Sequence, residues 1–281
     1  MRWLICKKAA TIFGILLISA GQLIAHVGKQ PNCSKDNLNW IKGKKLCLKI
    51  ETYKSQKISD QPILIIFIHG DSPFKNPTYQ NILARLVAKE NQDVVAVGLL
   101  RPGYSDDNLN YSTGIKGEAT GDNYTAIVVQ NIARAVERLK KIYRPQNVIL
   151  AGHSGGAAIT ADLIGKYPRL ADQAVLVFCP CNVAQWRSHM KTLQKNDIWD
   201  KPVQSLSPEN FVDKINQNTA ITVMVSADDE IAPPFLSKNY YQLLKERNLK
   251  AEIIEINKGG HDIFLTSEVR NKIKSLIGER K

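Results

Sequence analysis

Apolar positions along this chain follow two rhythms. Short runs are continuous: Pro62-Ile63-Leu64-Ile65-Ile66-Phe67-Ile68, Val94 to Leu99, Val148 to Ala151, Gln173 to Phe178, and Ile221 to Val225. Unbroken runs of strand length mean burial on both faces, as in the middle of a parallel sheet. Leu46 to Thr52 alternates instead and predicts an early, half-exposed strand, and Ala251 to Ile256 supplies the last one. Between these runs the apolar positions recur every three or four residues. Ile82, Leu83, Leu86 and Val87 form one face of a helix over Tyr79–Glu90. Val128, Ile132, Val136 and Leu139 do the same for a helix that starts at an Asp122 cap and runs to Tyr143. Further helices are predicted over Ala157–Lys166 and Pro234–Asn248, and from Ser267 onward. Strands alternating with helices put the chain in the α/β class, with a doubly wound, mostly parallel sheet.

Three stretches break the rhythm. Asn32 to Lys45 is polar and reads as loop. Arg101 to Gly121 is a long polar, glycine-bearing segment, of a length usually reserved for functional or mobile loops. Residues 182–218 scatter Trp186, Met190, Trp199 and Phe211 among polar residues, which predicts a small lid inserted in the main domain. Residues 1–27 differ from everything after them: Arg2, Lys7 and Lys8 precede an apolar run from Ala9 to Val27. That order predicts a signal peptide and export to a secreted or periplasmic location, with an uncleaved membrane anchor as the alternative. Residues 28–281 are then one domain, long enough to bury a large core.

Composition changes this picture little, with 44% hydrophobic and 23% charged residues. The net charge of +12 fits either a soluble basic protein or contact with an anionic envelope surface. No basic block is interleaved with aromatics, so no nucleic-acid partner is expected. Cys6 falls in the leader, leaving Cys33, Cys47, Cys179 and Cys181, which can pair in three ways. Cys33–Cys47 is the favoured bridge, and a loop of that size adds on the order of 3 kcal/mol. Cys179-Pro180-Cys181 is either a local bridge made by a bend at Pro180 or a pair of buried thiols. Its spacing is not that of a zinc site, and neither metal nor cofactor is expected.

The candidate chemistry centres on Gly152-His153-Ser154-Gly155-Gly156, where a buried strand meets a helix. Small residues flank the serine because the turn brings strand and helix close together and leaves Ser154 at the tip. In such sheets reactive groups gather at the carboxyl ends of strands. Three strand ends carry Ser154, Asp229 and His261 in that order. His261 emerges by elimination. His26 lies in the leader, His69 opens a central loop, His189 sits in the proposed lid, and the elbow should direct His153 elsewhere. Asp229 is favoured over its neighbour Asp228. Ser154 is then the nucleophile, His261 its base, and Asp229 the group that orients the ring. The N–H groups of Gly155 and Asp71 are the candidate oxyanion donors. Arg101, Tyr104 and Trp186 are candidate substrate contacts. For Arg101 the competing reading is a turn whose side chain pairs inside the protein, and for the aromatics it is packing.

Taken together, His69-Gly70, Arg101-Pro102-Gly103-Tyr104, the elbow, Ser226-Ala227-Asp228-Asp229 with Pro233, and Gly259-Gly260-His261 resemble the α/β-hydrolase family over most of residues 46–281. The resemblance implies a serine hydrolase acting on a small-molecule ester or a short peptide. The fuller HGGG motif of the hormone-sensitive-lipase branch is absent, and Ser226 stands where many members have glycine. An exported esterase working through an acyl-enzyme is the leading expectation. A peptidase similar to the prolyl-oligopeptidase branch, and a non-catalytic binding protein that kept the fold, are the competing ones. Substrate identity and oligomeric state are not legible.

Overall fold

The continuous apolar runs become the interior strands of one sheet. In the structure, a computed structural model, residues 37–279 other than 119 are described, together with Pro31 and Cys33. The proposed leader at 1–27 lies outside the described residues. The strands are β1 (Trp40–Lys42), β2 (Cys47–Lys54), β3 (Ile63–Ile68), β4 (Val94–Leu99), β5 (Asn147–His153), β6 (Gln173–Val177), β7 (Ala220–Ser226) and β8 (Ala251–Ile256). They form an eight-stranded sheet in the order β1-β2-β4-β3-β5-β6-β7-β8. β1–β2 and β2–β4 are antiparallel, and every other pair is parallel.

β3 shows why the pattern works. Its Ile66 lies opposite Val97 on one side and Leu150 on the other. Alternate side chains then enter opposite layers. Leu64, Ile66 and Ile68 join the core under α2 (Ala126–Tyr143), α3 (Gly155–Lys166) and α5 (Pro234–Glu246). Ile63, Ile65 and Phe67 join the core under α1 (Tyr79–Glu90) and α6 (Ser267–Gly278). With helices on both faces, no position of β3 can be polar. β8 closes the sheet and exposes Glu252 and Glu255, as a protected edge does.

Several local readings need correction. The segment read as loop contains β1, whose three residues are too few to show a period. β1 is held by pairing Trp40 with Lys49, close to the Cys33–Cys47 bridge with its Cα atoms 5.6 Å apart. α2 starts at Ala126, capped by Thr125, which accepts from the Val128 N–H at 3.4 Å. Asp122 instead accepts the Glu118 N–H at 2.7 Å and so closes the preceding loop. Cys179 and Cys181 are joined as a disulfide across Pro180, their Cα atoms 5.0 Å apart. Among the described residues no helix is long and apolar enough to cross a membrane.

Between β6 and β7 the chain forms α4 (Val183–Gln194) and two short 3₁₀ turns, Asp197–Asp200 and Pro208–Lys214. Trp186, Met190 and Trp199 build a small apolar cluster of their own with Leu236 of α5. The buried Arg187 ties this segment together. It donates to the carbonyls of Ile198 (2.8 Å), Lys201 (3.0 Å) and Thr120 (3.2 Å).

One buried group works against stability. Asp162 of α3 is fully buried, and neither of its carboxylate oxygens has a hydrogen-bond partner among the described residues. Burial raises its pKa well above the ordinary carboxylate range. The native state therefore holds a proton there that the unfolded chain releases near pH 4, so stability falls as pH rises from about 4 toward the native pKa. Asp162→Asn removes this dependence. Urea unfolding should show the variant gaining on the parent as pH rises, by about 1–3 kcal/mol at pH 8. A difference that stays constant with pH would mean Asp162 is already ionised in the folded protein.

Candidate active site

Ser154 stands between the end of β5 and the start of α3 with φ 52° and ψ −122°. A side chain held in this left-handed region costs about 1–3 kcal/mol. The surrounding backbone is too close to allow relaxation. A Cβ on Gly152 would lie 2.2 Å from the Gly156 carbonyl oxygen, and a Cβ on Gly156 would lie 2.2 Å from that of Ile68. The turn is thus jammed against the end of β3. The Ser154 N–H donates to the Val177 carbonyl of β6 at 2.8 Å, which fastens the tip from the other side. Gly155 is the first residue of α3, where helix geometry leaves its N–H without an intrahelical acceptor.

Asp229 follows β7 and is 3% exposed. Its Oδ2 is 2.8 Å from His261 Nδ1. Its Oδ1 accepts the N–H groups of Ile231 and Ala232, both at 2.9 Å, so the carboxylate is fixed at both oxygens. The neighbouring Asp228 has a different task. Its Oδ1 accepts from Ser226 Oγ at 2.5 Å, from the Gly260 N–H at 2.9 Å and from the Gly259 N–H at 3.1 Å. The Ser226 hydroxyl and these N–H groups hold the Asp228 carboxyl down to about 2. One acid faces the imidazole and the other ties down the backbone of the loop that carries it. Ser226, a departure from the common glycine, is part of that tie. The His261 ring lies 5.4 Å from Phe178, tilted by 23°, so its face is also covered.

His153 is placed against His261, not away from it. Its Nε2–H donates to the His261 carbonyl at 2.8 Å. Its Nδ1 accepts from the Tyr79 hydroxyl at 3.0 Å, and that oxygen accepts the Gly70 N–H at 2.5 Å. Burial first, and the nearby His261 second, push the His153 pKa down to about 3, so the ring is neutral at physiological pH. One chain of hydrogen bonds thus joins the loop after β3, the elbow and the His261 loop. Tyr79 carries no sequence signal for this role, because its partner lies 74 positions away.

The loop after β3 is built around a buried ion pair. Asp71 Oδ1 receives Arg101 Nη1 at 2.9 Å, and Asp71 Oδ2 receives the Gly121 N–H at 3.1 Å and the Tyr124 hydroxyl. Arg101 is 0% exposed, with its guanidinium between the Tyr104 and Tyr124 rings at 5.0 and 5.3 Å. Burial opposes its charge, but Tyr104 and Asp71 outweigh that and keep it ionised. The expectation that Arg101 meets substrate is therefore corrected: the guanidinium is sealed inside and braces Asp71. Tyr104 stands beside it and is buried. Its ring packs on His69 at 4.7 Å, and it borders a recess of about 190 Å³ that shares Asp71, Pro73, Glu118 and Thr120 with the cleft beside Ser154. Tyr124, which the sequence did not single out, closes the gap to the elbow. A Cβ on Gly155 would lie 2.5 Å from its hydroxyl oxygen and 2.9 Å from Asp71 Oδ1.

Ser154 and His261 open into a cleft of about 470 Å³, which Asp71 and Trp186 also border. Trp186 donates its Nε1–H to the Ile231 carbonyl at 2.7 Å, and His189 Nε2 lies 2.8 Å from the Glu230 carbonyl. α4 is therefore pinned to the residues that follow Asp229. Among the described residues no group of three His, Cys, Asp or Glu side chains is arranged to hold a metal ion.

No family profile and no curated protein matches the sequence. Solved structures do. Acylaminoacyl peptidase of Pyrococcus horikoshii superposes with a TM-score of 0.64 at 15% identity over 86% of this chain, which spans 41% of the length of that protein. Est1E of Butyrivibrio proteoclasticus, solved with ferulic acid bound, superposes with a TM-score of 0.64 at 17% identity over 86% of this chain and 98% of its own. An esterase of Pyrococcus furiosus gives 0.64 at 15% identity over 86% of this chain and 89% of its own. Both this likeness and the mostly parallel sheet with its strand-to-helix elbow at Ser154 lead to one conclusion: the chain has the α/β-hydrolase fold.

Proposed function

We propose that this protein is an exported serine hydrolase that cleaves an ester through an acyl-enzyme. The observation that carries the reading is the fixed Asp229–His261 pair, 2.8 Å apart, bordering the same cleft as a serine on a strained elbow. In the first step Ser154 Oγ bonds to the ester carbonyl carbon as its proton passes to His261 Nε2. The negative charge that develops on the carbonyl oxygen is met by the N–H groups of Gly155 and Asp71. The bond to the alcohol oxygen then breaks, and His261 returns the proton to that oxygen. A water molecule repeats the sequence on the acyl-enzyme and releases the acid. Asp229 holds the ring in the tautomer that presents Nε2 and stabilises it when charged. The basic apolar leader at 1–27 and the two disulfides support export.

Hydrolysis of a short peptide amide is the second reading, supported by the fold likeness to acylaminoacyl peptidase. Comparing rates on an aryl ester and an aminoacyl amide separates the two. Fluorophosphonate labelling read by intact mass tests the common core. One adduct is expected on the parent and none on Ser154→Ala or His261→Ala. A folded parent that takes up no adduct would favour a binding protein that kept the fold.

A further inference from the structure

Half of the chain's net charge sits on one face. Two recesses meet along α2 and share Glu137 and Lys141. One is also bordered by Lys140, Lys166 and Arg169, and the other by Lys44, Arg134 and Arg138. Seven cations thus stand with one acid, an excess of six out of the net +12 of the whole chain. The acid is itself engaged by Arg134 at 2.5 Å. Neither recess shares a residue with the cleft beside Ser154.

Two ties assemble this face. The turn between β1 and β2 carries Lys44 and Lys45, and Asn131 of α2 accepts the Lys45 and Leu46 N–H groups, both at 2.9 Å. The fit is close, since a Cβ on Gly43 would lie 2.7 Å from Asn131 Oδ1. At the other end Lys140 Nζ donates to the Arg169 and Leu170 carbonyls at 2.8 and 3.1 Å, which draws the bend after α3 alongside. Along α2 itself, Ile127, Arg134, Arg138, Lys141 and Ile142 fall within about 100° of the helix circumference. The two isoleucines are 67% and 49% exposed.

We infer that this face docks on an anionic phospholipid surface. Cations along a helix flank attract lipid phosphates, and bare isoleucines among them have hydrocarbon to enter. A soluble polyanion would meet the cations and leave the isoleucines bare. The chain path points to the same side. Cys33 is bridged to Cys47 at the start of β2, two residues from Lys45. The apolar run of residues 9–27 ends six residues before Cys33, a reach of at most about 20 Å. The inference does not depend on the acyl-enzyme reading, and docking by this face leaves the cleft residues uncovered.

The test is flotation of the full chain with vesicles of phosphatidylcholine, alone or with about one-third phosphatidylglycerol, at about 0.1 M salt. The parent should prefer the anionic vesicles by about tenfold or more. Replacing Lys44, Arg138 and Lys141 together by Gln should lower binding to them by about fivefold per charge. The same substitution at the exposed Lys89, Lys250 and Lys274, on other elements, should cost far less. The leader is identical in every variant, so it cancels from these differences. Arg138→Lys with Lys141→Arg keeps the charge and should bind like the parent, which separates lost charge from lost folding. Ile127→Ser with Ile142→Ser should weaken binding by about threefold or more. A face set that loses no more than the Lys89, Lys250 and Lys274 set would overturn the inference. So would an isoleucine pair that binds as the parent does. Capture of soluble polyphosphate by a parent that shows no vesicle preference would give the face to an anionic polymer instead and overturn it too.

Discussion

Ser154→Ala and His261→Ala are each expected to lower kcat by roughly 10⁶-fold, and the double variant to be no slower than either single one. The reason is that nucleophile and base act in one step. Without the imidazole the hydroxyl keeps its proton, and without the hydroxyl the imidazole has nothing to activate. Asp229→Asn should cost less, about 10⁴-fold, because the ring and its serine remain and only the tautomer is wrong. The Asp229 pocket makes this a clean substitution in one respect, since Oδ1 is held by two backbone N–H groups that also accommodate an amide oxygen. Asp228→Asn supplies the contrast, because it loosens a loop without touching the ring. Initial rates on an activated aryl ester, normalised to folded protein, give the comparison. His261→Ala that keeps a tenth of the parent's kcat would remove His261 from the role of base.

The second large effect is on stability. Arg101→Met should destabilise the protein by about 3–5 kcal/mol, since it strands the Asp71 carboxylate in a buried site. Adding Asp71→Asn should recover much of the loss, because a pair of neutral groups leaves no uncompensated charge. The order of stability under urea is therefore parent, double variant, Arg101→Met. A single variant within 1 kcal/mol of the parent would mean that the pair is solvated, which its 2.9 Å contact and side chains only 0% and 6% exposed argue against. The same pair lies beside the candidate oxyanion donors. An unneutralised carboxylate there would oppose negative charge on the substrate oxygen, so Arg101→Met should also slow turnover, and the double variant should restore part of it.

The strands and most helices were legible because their rule is local. A run such as Ile63–Ile68 has no polar position, and only burial on two faces permits that. The order Ser154, Asp229, His261 was legible for a similar reason, since each follows a strand and parallel strands deliver their ends to one edge. Contacts across the edge were not legible. Nothing in the spacing of Gly70, Tyr79, His153 and His261 announces that one hydrogen-bond chain will join them. Arg101 shows the limit from the other side. An arginine in a polar loop beside a site suggests a substrate contact, and only the position of Tyr104 and Tyr124 on either side of it reveals that it is sealed. β1 escaped because three residues cannot express a period of two, and it exists through pairing with β2.

The fastening of α4 to the acid loop bears on any attempt to redesign this protein. Trp186 and His189 both end on carbonyls of the residues just after Asp229. Repacking α4 to admit a bulkier ligand would therefore move the anchor of the imidazole's partner. In the proposed hydrolase, ligand fit and turnover are coupled through these two hydrogen bonds. A library confined to Pro73 and Phe74, which border the same cleft from the loop after β3, leaves those two bonds alone and is the better place to begin.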